Sequence, residues 1–272
     1  MKHYRLTPAF SMLELVFVIV ILGIVASIGS EMIVKVYESY IVQRAEHRAT
    51  LKTELAATQI ANRLSSAIPG TVYRIKNDDS YEPIESALTG TGDDYIGLQW
   101  VGSDTDSFSA AATPGWSGFC DIDSNLTTKT SLSTPGSDLD LTNTIIGTLS
   151  NGKTIADAAI YFPGYNTVHH IATGTGQTIT LDDNASKIVE HYKLAWSSYA
   201  LVVENNDLYL YYNFIPTPAI AIPDTASRSL IMKDVSTFKF MGAGRTIRFK
   251  MCKQEPISED VNITACKEKA VF

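Results

Sequence analysis

Cysteine is scarce in this 272-residue chain: there are three, Cys120, Cys252 and Cys266. So few exclude a small scaffold held together by many disulfides. Proline is absent from Phe10 to Ile68, so nothing in that stretch breaks a helix through a missing N–H. No acidic residue occurs among the first nine positions, and Glu14 is the one charge between Arg5 and Glu31. No fixed-period repeat is present, which removes solenoids and propellers. No nucleophile–base–acid set stands out. His169, His170 and His191 have no cysteine or carboxylate at metal-ligand spacing. Gly174-Thr-Gly176 lacks the third glycine and following helix that a phosphate cradle needs. These absences point away from an enzyme and from a resident cofactor.

Against that background stands an apolar run from Phe10 to Ser30. About 20 residues at about 1.5 Å each cross the hydrocarbon core of a bilayer. Lys2, His3 and Arg5 precede the run, which sets the leader on the cytoplasmic side and the remainder across the membrane. A cleaved secretory signal with Ala26-Ser-Ile-Gly29 as its small-residue site is one reading, and a simple signal anchor is another. Both leave Glu14 unexplained, because a lone carboxylate inside a membrane-length helix is costly and is usually functional. Snorkelling to the nearby interface is the plain structural alternative for this side chain.

The helical pattern continues past the membrane edge. Ile33, Val36, Tyr37, Tyr40 and Ile41, then Leu51, Leu55, Ile60, Leu64 and Ile68, recur at helical spacing among charged and amide residues. Pro69-Gly70 is a stop signal. One helix over residues 10–67 would be about 85 Å long. A signal peptide followed by an ordinary domain has no need of such continuity.

The segment Thr7-Pro8-Ala9-Phe10-Ser11-Met12-Leu13-Glu14-Leu15 and the apolar run behind it resemble a type IV prepilin signal. Such signals are found in type IV pilins, type II secretion pseudopilins and competence pilins. The resemblance covers roughly the first 30 residues closely and the long helix in general form. It implies that a prepilin peptidase cuts between Ala9 and Phe10 on the cytoplasmic side and N-methylates the new Phe10 amine. Where the family usually has glycine before the cut, this chain has Ala9. The resemblance further implies that Glu14 of an incoming subunit pairs with the Phe10 amine of its neighbour and sets the axial register of a filament. Each charge alone is expensive in hydrocarbon, and together they neutralise one another. Such a contact is head to tail, the kind that propagates rather than closes. The implied partners are other pilins or pseudopilins, an inner-membrane assembly platform, and membrane lipid before assembly. The implied divisions are a cytoplasmic leader over 1–9, a transmembrane half-helix over 10–30, an amphipathic periplasmic half over 31–68 and a periplasmic domain over 69–272. The implied location is the bacterial inner membrane, with the filament in the periplasm or at the cell surface.

Beyond Pro69 the pattern changes to short alternating segments. Residues 95–101 and 158–162 read as strands. Residues 200–204 and 208–212 form a hairpin around Asn205-Asn206-Asp207, and Phe238 to Met251 form a second around Gly242-Ala-Gly244. Residues 102–150, rich in Ser, Thr, Gly and Asp, read as a long insertion of loops and weak strands. The expected fold class is α+β and pilin-like, a long helix packed on a mostly antiparallel sheet. Residues 69–150 carry three Lys or Arg against twelve Asp or Glu, a net of −9, whereas residues 225–272 carry nine against five, a net of +4. The acidic stretch argues against nucleic-acid binding by the domain. It is either a solvated face or a means of choosing a neighbour by charge.

Cys252 and Cys266 enclose a C-terminal loop with Pro256 and Ser258-Glu-Asp260. Export would put them in an oxidising compartment, and the resemblance supports their pairing, since many pilins carry a C-terminal disulfide loop. Cys120 is left over as a buried thiol, with its pairing to either of the others the rival reading. Asp121, Asp123 and Asn125 have the spacing that opens a calcium loop, but the sixth position is Leu126 and the twelfth Leu132, so an EF-hand fails. A plain Asp-rich turn is the first reading. Calcium in a loop is the second, because some pseudopilins bind it there. An anchored periplasmic binding module or enzyme, exported by the same signal, is the alternative to a filament subunit.

Overall fold

A computed structural model describes residues 11–88, 94–110, 113–150, 152–165, 167–258 and 261–271. Ala9 and Phe10 lie outside the described residues, as do Glu259 and Asp260. The chain is α+β with a pilin-like layout: one long N-terminal helix, α1 (Met12–Leu64), followed by sheets whose registered strand pairs are antiparallel. Two compact units divide it, one of residues 1–48 and 255–263, the other of residues 49–254 and 264–272.

In the first unit α1 starts behind Ser11, whose Oγ accepts the Glu14 backbone N–H at 3.2 Å, a side-chain cap for an orphan donor of the first turn. From Met12 to Arg48 the large apolar side chains face outward. Lys35 and Glu31 form an i,i+4 pair at 2.8 Å. In the 255–263 part the Ile257 N–H bonds Val261 O at 2.8 Å.

In the second unit the rest of α1 buries Ala49, Thr53, Ala56, Ala57, Ile60 and Leu64. Their spacing of three and four residues puts them on one face. Four of the six are small, so the helix lies close to the strands. The expected stripe is only partly right: Ile60, Leu64 and Ile68 are buried, but Leu51 and Leu55 are 49% and 69% exposed. The helix also stops short of Pro69. Ser65 and Ser66 turn their hydroxyls onto the carbonyls of Asn62 and Arg63, 2.8 and 2.9 Å away, and satisfy two terminal acceptors there.

Three sheets follow. The first orders its six strands β11 (Ser227–Met232), β10 (Asp207–Phe214), β9 (Ser197–Glu204), β3 (Tyr95–Gly102), β1 (Tyr73–Lys76) and β2 (Tyr81–Pro83). The β9–β10 turn is Asn205-Asn206, both at positive φ (50° and 66°), as a twisted two-residue hairpin demands. The second sheet comprises β12 (Val235–Ala243), β13 (Thr246–Pro256) and β14 (Asn262–Val271). Helix residues Ala56 to Leu64 share a core with Leu98, Trp100, Leu201 and Leu208 of the first sheet and Phe240, Phe249 and Met251 of the second.

The third sheet is built from β4 (Ser131–Ser133), β7 (Thr178–Leu181), β6 (Val168–Thr175), β5 (Ala159–Tyr161) and β8 (Lys193–Ala195). It encloses a separate core of Trp116, Cys120, Leu132, Leu139, Ile146, Ile160, Ile179 and Leu194. Two helices lie in the stretch expected to be loops, α2 (Thr105–Phe108) and the 12-residue α3 (Leu139–Ser150). The buried positions of α3 are Leu139, Thr142, Ile146 and Ser150. Asp138 accepts the Leu141 N–H at 3.1 Å, and Ser150 Oγ bonds back to Ile146 O. Half of that buried face is hydroxyl-bearing, so hydrophobic periodicity does not reveal it.

Candidate functional site

Serine at position 11 followed by glutamate at position 14 sets the geometry of the helix start. The Ser-x-x-Glu spacing matches a capping box, and the half in which Ser11 accepts from Glu14 N–H is formed. This cap is legible in the sequence as Ser11-x-x-Glu14. It fixes the first turn and places Glu14 in it, where an anion interacts favourably with the helix dipole. Among the described residues the Glu14 carboxylate has no hydrogen bond and no ion pair. The next charges along α1 are Glu31 and Lys35, which engage one another.

Around Glu14 the helix presents Leu13, Leu15, Val16, Phe17, Val18 and Ile19, each between 48% and 71% exposed. The exposed apolar surface continues to Ile28. A soluble monomer does not leave so long a contiguous surface bare. By length and composition α1 is able to cross a membrane, and it is the one described helix that is. That property is consistent with single-pass anchoring near the N-terminus.

The other sequence candidates fall elsewhere. Cys252 on β13 and Cys266 on β14 form a disulfide between neighbouring strands, and Cys120 is a buried free thiol. Burial pushes the Cys120 thiol pKa up, which keeps it protonated and unreactive. Asp121, Asp123 and Asn125 lie in a turn in which the Asp121 carboxylate accepts the Asp123 N–H at 3.2 Å. Asp121 O accepts from Thr127 Oγ1 at 2.6 Å. Among the described residues no group of three or more His, Cys, Asp or Glu is gathered to hold a metal ion. His169 is buried on β6 with Nδ1 2.9 Å from Asp183 Oδ2, and His170 Nε2 is 3.2 Å from Thr217 Oγ1. Neither pairing was visible from sequence spacing, because each joins residues far apart in the chain.

Two charge clusters support the domain. Arg74, 2% exposed, pairs with Glu82 and donates to Ile84 O at 2.6 Å and Ser86 O at 3.1 Å. Glu82 also receives Lys76 at 3.1 Å and the Tyr95 hydroxyl at 3.2 Å. On α1, Glu54 is clamped by Lys267 at 2.6 Å and Lys269 at 3.0 Å from β14. Those two hydrogen bonds lower its pKa to about 2.

No protein-family model matches the chain, no curated protein matches it, and no solved structure matches it.

Proposed function

We propose that the chain is a structural subunit, a minor pilin or pseudopilin, of a filament of the type II secretion, type IV pilus or DNA-uptake kind. In this reading a prepilin peptidase removes residues 1–9 on the cytoplasmic side and methylates the Phe10 amine. The chain then waits in the inner membrane as a single-pass protein, in contact with lipid. It is drawn into a filament by the assembly platform and by other pilins or pseudopilins. The observation that carries this is the Glu14 carboxylate, set in a membrane-length apolar helix and without a partner among the described residues. An amine from a neighbouring chain neutralises it at the depth where neutralisation matters most. The small-residue face of residues 49–64 occupies the helix with its own domain, while the outward face of residues 12–42 remains to pack against other helices. The separate core and third sheet, drawn from residues 116–196, add bulk to the domain. That bulk suits a tip or initiation subunit better than a repeating shaft subunit.

Glu14→Ala tests the reading. Membrane insertion should be unchanged or improved, since removing a carboxylate from a membrane helix lowers the insertion cost by about 2–3 kcal/mol. Co-purification with the filament should be lost. An anchored binding module or enzyme would keep both membrane residence and its activity with Ala at this position, and that result would overturn the proposal.

A further inference from the structure

The first sheet is covered differently on its two faces. Leu98, Trp100, Leu201 and Leu208 belong to the core shared with α1. Successive residues of a strand alternate between faces, and residues directly opposite across an antiparallel pair share one. Val202 therefore points away from α1, as do its partners Gly97 and Tyr209. Ile75, opposite Gly97, and Tyr81, opposite Ile75, join them. Ala200, Tyr211 and Arg228 lie on the same face through their pairings. Residues 215–226, between β10 and β11, cross this face as a strap: Ile220, Ile222 and Ala226 pack with Ile75, Ala200 and Val202. Gln99, opposite Ala200 and fully buried, pins the strap with both ends of its amide. Its Nε2 donates to Ile220 O at 2.7 Å, and its Oε1 accepts the Ile220 N–H at 3.1 Å. The Tyr161 hydroxyl donates to Pro216 O at 2.6 Å.

Between the strap and the strands lies a cavity of about 600 Å³. Ile75, Val202 and Ile222 give it an apolar lining, and Tyr81 and Tyr211 add two aromatic rings. Its charged lining residues are Asp79, Glu204, Asp224 and Arg228. Glu204 is already committed: Arg228 Nη1 lies 3.4 Å from one of its oxygens, and the Tyr211 hydroxyl donates to the other. Arg228 also stacks over the Tyr209 ring, 5.0 Å from its centroid. Asp79 and Asp224 carry no ion pair and no side-chain hydrogen bond among the described residues. Asp79 stands in the turn between β1 and β2 at φ 60°. Its charge reaches the cavity: the Tyr81 hydroxyl pKa is raised, first by burial and then by the Asp79 carboxylate. With Glu204 and Arg228 offsetting one another, the lining keeps two negative charges uncompensated. Among the described residues no three metal-ligating side chains are gathered, so these carboxylates do not make a metal site.

We propose that this cavity binds a small organic cation, an ammonium group carried on an apolar body. The two uncommitted carboxylates specify a positive charge. Tyrosine rings favour the same group, since a ring face attracts a cation. The isoleucine and valine lining specifies a hydrocarbon body, which a bare or hydrated metal ion does not offer. The volume falls within the range of about 300–1,000 Å³ typical of small-molecule sites. Pinning of the strap by Gln99 and Tyr161 forms the cavity in advance, so binding has little chain left to order. This site goes beyond the filament-subunit reading and involves neither Glu14 nor α1.

The full-length chain in nanodiscs of zwitterionic lipid tests it, with ligand-observed NMR titration as the readout and empty nanodiscs as the reference. The probes are phenethylammonium, 2-phenylethanol and 3-phenylpropionate, which carry a positive, a neutral and a negative group on similar bodies. No filament is present, so failure here leaves the Glu14 reading untouched, and failure of that reading leaves this one untouched. Phenethylammonium should bind with a Kd of about 1 mM or tighter. The alcohol should bind about tenfold more weakly or worse, and the carboxylate should not bind. Asp79→Asn/Asp224→Asn should weaken phenethylammonium binding by about tenfold. Both side chains are exposed and asparagine accepts a positive φ, so this variant should keep the wild-type Tm. Absence of phenethylammonium binding, equal binding of the alcohol or the carboxylate, or unchanged binding by the double variant would overturn the proposal.

Discussion

Ser11 Oγ accepts the backbone N–H of Glu14 at 3.2 Å, so the residue that begins the helix also fixes where its carboxylate stands. The cap uses the Glu14 backbone and leaves its side chain uncommitted among the described residues. Ser11→Ala should therefore fray the first turn, at a cost of about 1 kcal/mol in local helix stability, without removing the carboxylate. Amide exchange at Glu14 and Leu15 in nanodiscs should quicken in this variant, and filament incorporation should fall less than in Glu14→Ala.

Arg74 ties together three oxygen-bearing groups, the Glu82 carboxylate and the carbonyls of Ile84 and Ser86. Removing one partner of a buried pair leaves an uncompensated charge and costs about 3–5 kcal/mol. Lys76 and the Tyr95 hydroxyl still reach Glu82, so Arg74→Ala should destabilise the domain by about 3 kcal/mol, near the lower bound. Denaturant unfolding measures it. Replacing Arg74 and Glu82 together by Met and Leu should recover part of the loss.

Glu54 carries the pH dependence of the junction between α1 and β14. Its folded pKa is about 2, against an ordinary value of 4.5, because Lys267 and Lys269 hydrogen-bond the ionised form. A depressed carboxylate pKa contributes stability above the unfolded value, and that contribution is lost as pH falls through the folded one. Wild type should be more stable than Glu54→Gln at pH 7, and the gap should close between pH 4.5 and about 2. Salt should narrow it as well, since the three side chains are partly exposed.

The cysteines make a count that can be checked directly. With Cys252 and Cys266 joined and Cys120 buried, no thiol should label in the native chain and one should label after unfolding without reductant. Removing the bridge by Cys252→Ser/Cys266→Ser should cost about 3 kcal/mol, the chain-entropy value for a loop of this length. Labelling at Cys252 or Cys266 before reduction would contradict the pairing.

Much of the fold is legible in the sequence where one local rule dominates. The proline-free run predicts α1, and Asn205-Asn206 predicts the β9–β10 hairpin at its observed place. What escapes is written in small or hydroxylated residues. Ala49, Thr53, Ala56 and Ala57 form the packed face of the helix, yet Leu51 and Leu55 dominate any hydropathy reading and face outward. Helix α3 hides its buried face behind Thr142 and Ser150. Of the site, Glu14 is conspicuous because a charge in an apolar run violates its surroundings. The cavity beneath the 215–226 strap is not, because it depends on Asp79 and Tyr81 meeting Ile222 and Asp224 across more than a hundred residues of intervening chain, and no local pattern encodes that meeting.

The most direct measurement is the N-terminal mass of the protein recovered from its native host. Removal of residues 1–9 by a prepilin peptidase predicts a chain that begins at Phe10 and carries a methyl group on its amine. An unprocessed Met1, or a first residue beyond Ala26, would contradict assembly through a Phe10 amine and Glu14.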